Sequence, residues 1–170
     1  MGGMVAQELA LRHPSLVKAL VIANSCAGYD EAGRAGWTAR IELVRTHGMG
    51  AIADLAMPRW FGDAFRAAQP ATVDRWRRRV ATTHPIGYAA TCEGLRGMEP
   101  PPRLPAIARP TLVIAGELDP GTPVAMSRQL TAGIPGAELA VLDGVSHLSV
   151  LERPDAFAAQ VLDFLRKVPA

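Results

Sequence analysis

Apolar residues recur along this chain with two different periods, and the change from one to the other divides it. From Gly3 to His13, Met4, Val5, Leu9 and Ala10 fall at helical spacing, and Pro14 stops the pattern. Leu16 to Ala23 is short, rich in branched residues and apolar on both faces at its end, which predicts a buried parallel strand. Between Gly28 and Arg103 the strand-like runs vanish. Helical patterns cover Glu31 to Thr46, Gly50 to Trp60, Ala71 to Thr82 and Gly87 to Gly97, with Gly48, Pro70 and Pro85 as breaks. The proline run from Pro100 to Pro105 reads as a stiff linker closing this insertion.

The strand period then returns. Pro110 to Gly116 predicts a strand ending at glycine, and Thr122-Pro123 a helix start with a capping hydroxyl and proline at the first position, the helix running to about Gly133. Ala137 to Leu142 reads as a further strand. Pro154 to Arg166 carries Phe157, Val161, Leu162, Phe164 and Leu165 on one stripe, an amphipathic closing helix. The whole predicts an α/β core from 1–27 and 106–170, interrupted by a helical insertion with its linker over 28–105.

Composition narrows the class. With 170 residues, 49% hydrophobic and 20% charged, the chain is long enough to build a packed core. A net charge of +2 gives no nucleic-acid footprint, and Arg75, Arg77, Arg78 and Arg79 read as a solvated helix face. The two cysteines, Cys26 and Cys92, lack metal or disulfide spacing, which predicts reduced thiols and no metal. No basic leader and no bilayer-length apolar run is visible, so a cytoplasmic protein without membrane contact is expected.

Two residues carry candidate chemistry. Asp119 follows the Thr111 to Ala115 strand, and His147 follows the strand ending at Leu142, so both are expected at the carboxyl edge of a parallel sheet. Taken alone, Asp119 is a turn aspartate beside proline and glycine. Together they supply what acyl transfer needs: an imidazole base and a carboxylate that fixes its tautomer. At the other end, Met1-Gly2-Gly3 before a helix matches the second half of a Gly-x-Ser-x-Gly nucleophile elbow, and the order elbow, acid, histidine is that of α/β-hydrolases. Ser25 and Ser146 lack the flanking glycines of an elbow.

The chain resembles the 3-oxoadipate enol-lactonases of the α/β-hydrolase superfamily. Met1 to Gln7, Leu11 to Pro14 and Leu20 to Ser25 look like the segment after the nucleophile. Trp37 with Arg40-Ile41, Gly48-Met49, Arg59 to Phe61 and Gly87 to Cys92 resemble the cap of that group. Pro110 to Gly116, His147 to Ser149 and Glu152 to Pro154 match its closing segments. The resemblance implies a partial α/β-hydrolase fold, the last three strands of a parallel sheet with flanking helices, plus a helical cap. It implies cofactor-free serine-hydrolase chemistry in aromatic-compound catabolism, with His147 as base, Asp119 as its partner and the backbone N–H of Met1 in the oxyanion hole. The implied substrate is a small lactone or ester. Trp37 is implied as a pocket residue, and Arg40 is either a cationic substrate partner or a solvated helix residue. The chain as given is expected to lack the serine and so to be inactive alone. It is also expected to self-associate through an exposed sheet edge; pairing with a separate partner half is the other reading.

Overall fold

A computed structural model describes residues 1–98 and 104–169. The chain divides into two compact units, Met1–Ala27 with Pro101–Ala170, and Gly28–Pro100.

The first unit is built on a parallel sheet of β1 (Leu20–Ala23), β2 (Thr111–Gly116) and β3 (Glu138–Leu142), in that order across the sheet. Leu20 pairs with Thr111 and Ala23 with Ile114, while Leu112 pairs with Glu138 and Gly116 with Leu142. The central β2 is buried along its whole length, as its uninterrupted apolar run requires. Its side chains alternate between two cores. Val113 joins Leu20, Ile22, Ala10, Leu130 and Ile134 on one face, where α1 (Gly2–Arg12) and α6 (Val124–Gly133) lie. Leu112 and Ile114 join Leu142, Val145 and Phe164 on the other, covered by α8 (Pro154–Lys167), which follows the single turn α7 (Ser149–Glu152). This is the doubly covered parallel sheet of an α/β protein.

The strand expected from Leu16 begins only at Leu20. Pro14–Leu16 forms a 3-10 turn instead, because proline at its first position favours a tight turn, and ladder pairing to β2 starts at Thr111. The expected cap of α6 is also corrected. That helix starts at Val124 with Pro123 before it and no side-chain cap, since the Thr122 hydroxyl is engaged elsewhere. Most of the proline linker falls outside the described residues; Leu104–Ala106 makes a short 3-10 turn.

The second unit is all helical: α2 (Glu31–Trp60), α3 (Asp63–Ala68), α4 (Pro70–Ala81) and α5 (Pro85–Gly97). Asp30 caps α2 by accepting from the Gly33 N–H at 2.8 Å. The break expected at Gly48 is present as a non-helical residue with φ 72° and ψ −175° between two helical segments. The breaks expected at Pro70 and Pro85 are boundaries between separate helices. Each proline occupies the first turn of a new one, where a missing N–H costs nothing. Ile41, Val44, Ile52, Ala53, Phe61, Val80, Cys92 and Leu95 are buried, and Phe61 stacks on Phe65 at 5.3 Å. Arg45 to Glu93 (3.1 Å) and Arg77 to Asp54 (2.7 Å) tie α2 to α5 and α4 at the surface.

Candidate active site

Three parallel strands end on one edge, and each is followed by a loop carrying a polar residue. Asn24 follows β1, Asp119 follows β2, and His147 follows β3. Because β2 is central, the carboxylate lies between the other two loops.

The loop after β2 is held by backbone bonds to the loop after β3. Glu117 N–H donates to Leu142 O at 3.0 Å and Leu118 N–H to Val145 O at 2.9 Å. Gly116 makes this approach achievable: a Cβ there would lie 2.3 Å from Ser146 O and 2.8 Å from Val145 O, inside any real contact distance. Two side chains brace the histidine loop from below. Glu117 accepts from Gly144 N–H at 2.8 Å, and Glu152 from Ser146 N–H at 2.7 Å.

Asp119 is buried, its side chain fully so, and every acceptor position is used. Oδ1 accepts from the Gly121 and Thr122 N–H groups at 2.7 and 3.0 Å, which orients the carboxylate within its own turn. Oδ2 accepts from the Thr122 hydroxyl at 2.6 Å, from Asn24 Nδ2 at 3.2 Å and from His147 Nδ1 at 2.7 Å. Burial pushes the Asp119 pKa up. The hydrogen bond and charge of His147 and the two Thr122 bonds outweigh it and hold the carboxyl well below the usual carboxylate range. An ionised carboxylate only accepts, so His147 Nδ1 carries the proton and Nε2 is left as the basic nitrogen. The imidazole is about a third exposed, enough for a reactant to reach it.

The structure therefore brings Asp119 and His147 together. It places Met1 at the start of α1, where its carbonyl accepts from Met4 and Val5 N–H at 2.9 and 3.1 Å. That helix is anchored near the same sheet edge by Gln7, whose Nε2 donates to Cys26 O at 3.1 Å. Trp37 and Arg40 lie on α2 in the other unit. The Arg40 guanidinium stands 4.5 Å over the Trp37 ring, and Tyr29 meets that ring edge-on at 5.4 Å. On α5 burial, and then Cys92, pushes the Tyr88 phenol up to about 12, and burial pushes the Cys92 thiol up as well. A thiol held in its protonated form is no nucleophile.

Among the described residues no group of three metal-ligating side chains occurs, and no helix is long and apolar enough to cross a membrane. Sequence reasoning missed Asn24, Thr122, Ser149 and Glu152. Thr122 was read as a helix cap, and the other three only as parts of family-like segments; of the four, Thr122, three residues from Asp119, stood within reach of a turn argument.

Comparisons with known proteins identify the family. A family model described as "Alpha/beta hydrolase family" matches residues 1–160. The chain is 39% identical over 157 residues to 3-oxoadipate enol-lactonase 2 of Acinetobacter baylyi, covering 92% of this chain and 58% of that protein. It is 30% identical to 3-oxoadipate enol-lactonase 1 of the same organism, covering 99% of this chain and 62% of that one. The solved enol-lactonase of Burkholderia xenovorans LB400 superposes with a TM-score of 0.92 at 35% identity, covering 98% of this chain and 63% of the other. The chain thus spans about three fifths of the length of these relatives. With its parallel sheet, Asp119 and His147 hydrogen-bonded to each other at adjacent strand ends and the match along nearly its full length, the chain belongs to the alpha/beta hydrolase family.

Proposed function

We propose that this chain supplies the base and acid of a serine hydrolase that opens an enol-lactone of the 3-oxoadipate type, in the cytoplasm and as a step in aromatic-compound breakdown. The observation that carries the reading is the 2.7 Å bond from His147 Nδ1 to the fully buried Asp119. The similarity to two enol-lactonases supports the substrate class.

In the proposed reaction the attacking serine belongs to an elbow whose last residues are Met1-Gly2-Gly3. His147 Nε2 takes the serine proton as its oxygen bonds to the lactone carbonyl carbon, and Asp119 stabilises the imidazolium that forms. The Met1 backbone N–H faces the oxyanion. The ring C–O bond breaks, the leaving enol oxygen takes the proton from His147, and the enol becomes a ketone. Water, deprotonated by His147, then releases the acid and restores the serine. No step calls for a metal or an organic cofactor. Arg40, backed by Trp37, is proposed to bind the substrate carboxylate.

The test uses the whole protein containing this chain. His147→Ala should lower kcat on 3-oxoadipate enol-lactone by about 10⁴-fold or more. Arg40→Met should raise KM for that anionic substrate and leave a short p-nitrophenyl ester unaffected. A strong preference for the ester in the parent enzyme would overturn the lactonase reading, and full activity of His147→Ala would overturn the hydrolase mechanism.

A further inference from the structure

Asn24 stands in the left-handed region with φ 45°, which asparagine tolerates far better than branched residues, and its side chain reaches both other loops. Nδ2 lies 3.2 Å from Asp119 Oδ2 and 3.3 Å from the Ser146 carbonyl oxygen. Both of these only accept, so the amino end of the amide must face them. The carbonyl end, Oδ1, then accepts from the buried Ser149 hydroxyl at 2.5 Å, which fixes the amide against a flip. The Asn24 backbone N–H donates to Ile114 O at 2.8 Å, so the residue is itself tied to β2.

We propose that Asn24 is a positioning residue for the acid–base pair: its amide donates to Asp119 Oδ2 and to the backbone just before His147, holding carboxylate and imidazole in register. The proposal rests on the reading of Asp119 and His147 as acid and base. Position 24 calls for a donor of asparagine's shape. Aspartate has the same shape but would set a second carboxylate against the first. Of the other charged groups nearby, Glu117 and Glu152 are occupied by the Gly144 and Ser146 N–H groups and Asp143 is exposed to solvent; all three are common to every variant below.

The test is proton NMR of the labelled chain, following the far-downfield His147 Nδ1–H signal that a short bond to a carboxylate produces. Asp119→Asn should abolish it. Asn24→Ala should lose it through faster exchange with water. Asn24→Asp, which preserves volume, should lose it at neutral pH and regain it on acidification, when the introduced carboxyl is protonated and can donate again. A packing role alone would leave Asn24→Asp unchanged. If Asp119→Asn keeps the signal, the acid–base pair is wrong. If Asp119→Asn abolishes it while both Asn24 variants retain it, only the positioning role falls. Should the Asn24 variants not fold, the unmutated chain decides: slow exchange of the Asn24 amide protons supports the proposal, and exchange at the rate of an exposed carboxamide overturns it.

Discussion

Asp119 couples the site to the stability of its unit. Its carboxyl is buried, a cost that the donors around it more than offset, so its folded pKa lies below its unfolded one. A depressed carboxylate contributes stability that is complete above the unfolded value and is lost as pH falls toward the folded one. The chain should therefore weaken below about pH 4, with a slope approaching about 1.4 kcal/mol per pH unit from this group. Asp119→Asn should be less stable at pH 7 and show a shallower loss on acidification. Urea melts at pH 7, 5, 4 and 3 measure both, and parallel curves for the two proteins would refute the assignment. Asp119 and His147 were legible in the sequence because each follows a strand ending on the same edge. Asn24 was not, since its partners Asp119 and Ser149 lie 95 and 125 residues away and no local pattern encodes them.

At the scale of elements, the most demanding position is Gly48. Its φ of 72° with ψ near 180° is a region that only glycine occupies without strain, while a Cβ there would meet no neighbouring group within 4 Å. Gly48→Ala should cost about 1–3 kcal/mol from backbone strain alone. Gly36, helical and equally unobstructed, should respond in the opposite sense, Gly36→Ala stabilising by about 0.4–1 kcal/mol. Thermal melts of the two variants against the parent check both signs; a neutral Gly48→Ala would mean that α2 is continuous in solution. Elements with strong periodicity were readable: β2 from its unbroken apolar run, α8 from its Phe157, Val161, Phe164 stripe. α3 was not, because Asp63–Ala68 is too short to display a period. The strand expected from Leu16 reached too far toward the N-terminus, since apolar residues in a 3-10 turn look like strand residues until their pairing is known.

For the whole molecule, two apolar features lie side by side in the sheet-containing unit. Among the described residues β1 pairs with β2 alone. On α1, the face opposite Met4 and Ala10 exposes Val5 and Leu9, 59% and 42% accessible, and Leu16 follows at 75%. Side chains of this kind one turn apart form a stripe that water covers poorly. We expect the 170-residue chain in solution to self-associate through this stripe and the β1 edge. Its sedimentation mass should rise with concentration, and Val5→Lys should reduce the rise. A monomeric mass independent of concentration, with a sharp cooperative melt, would refute it.

Gly116 has a further consequence, for how the sheet assembles. It pairs with Leu142 in the ladder and is the residue of β2 that lies against the Ser146 carbonyl. If β3 slid by one residue during folding, Ala115 or Glu117 would meet that carbonyl instead, and either side chain would collide with it. The missing methyl thus acts as a proofreader of strand alignment: the sheet closes fully only in the alignment that also sets the histidine beside its carboxylate.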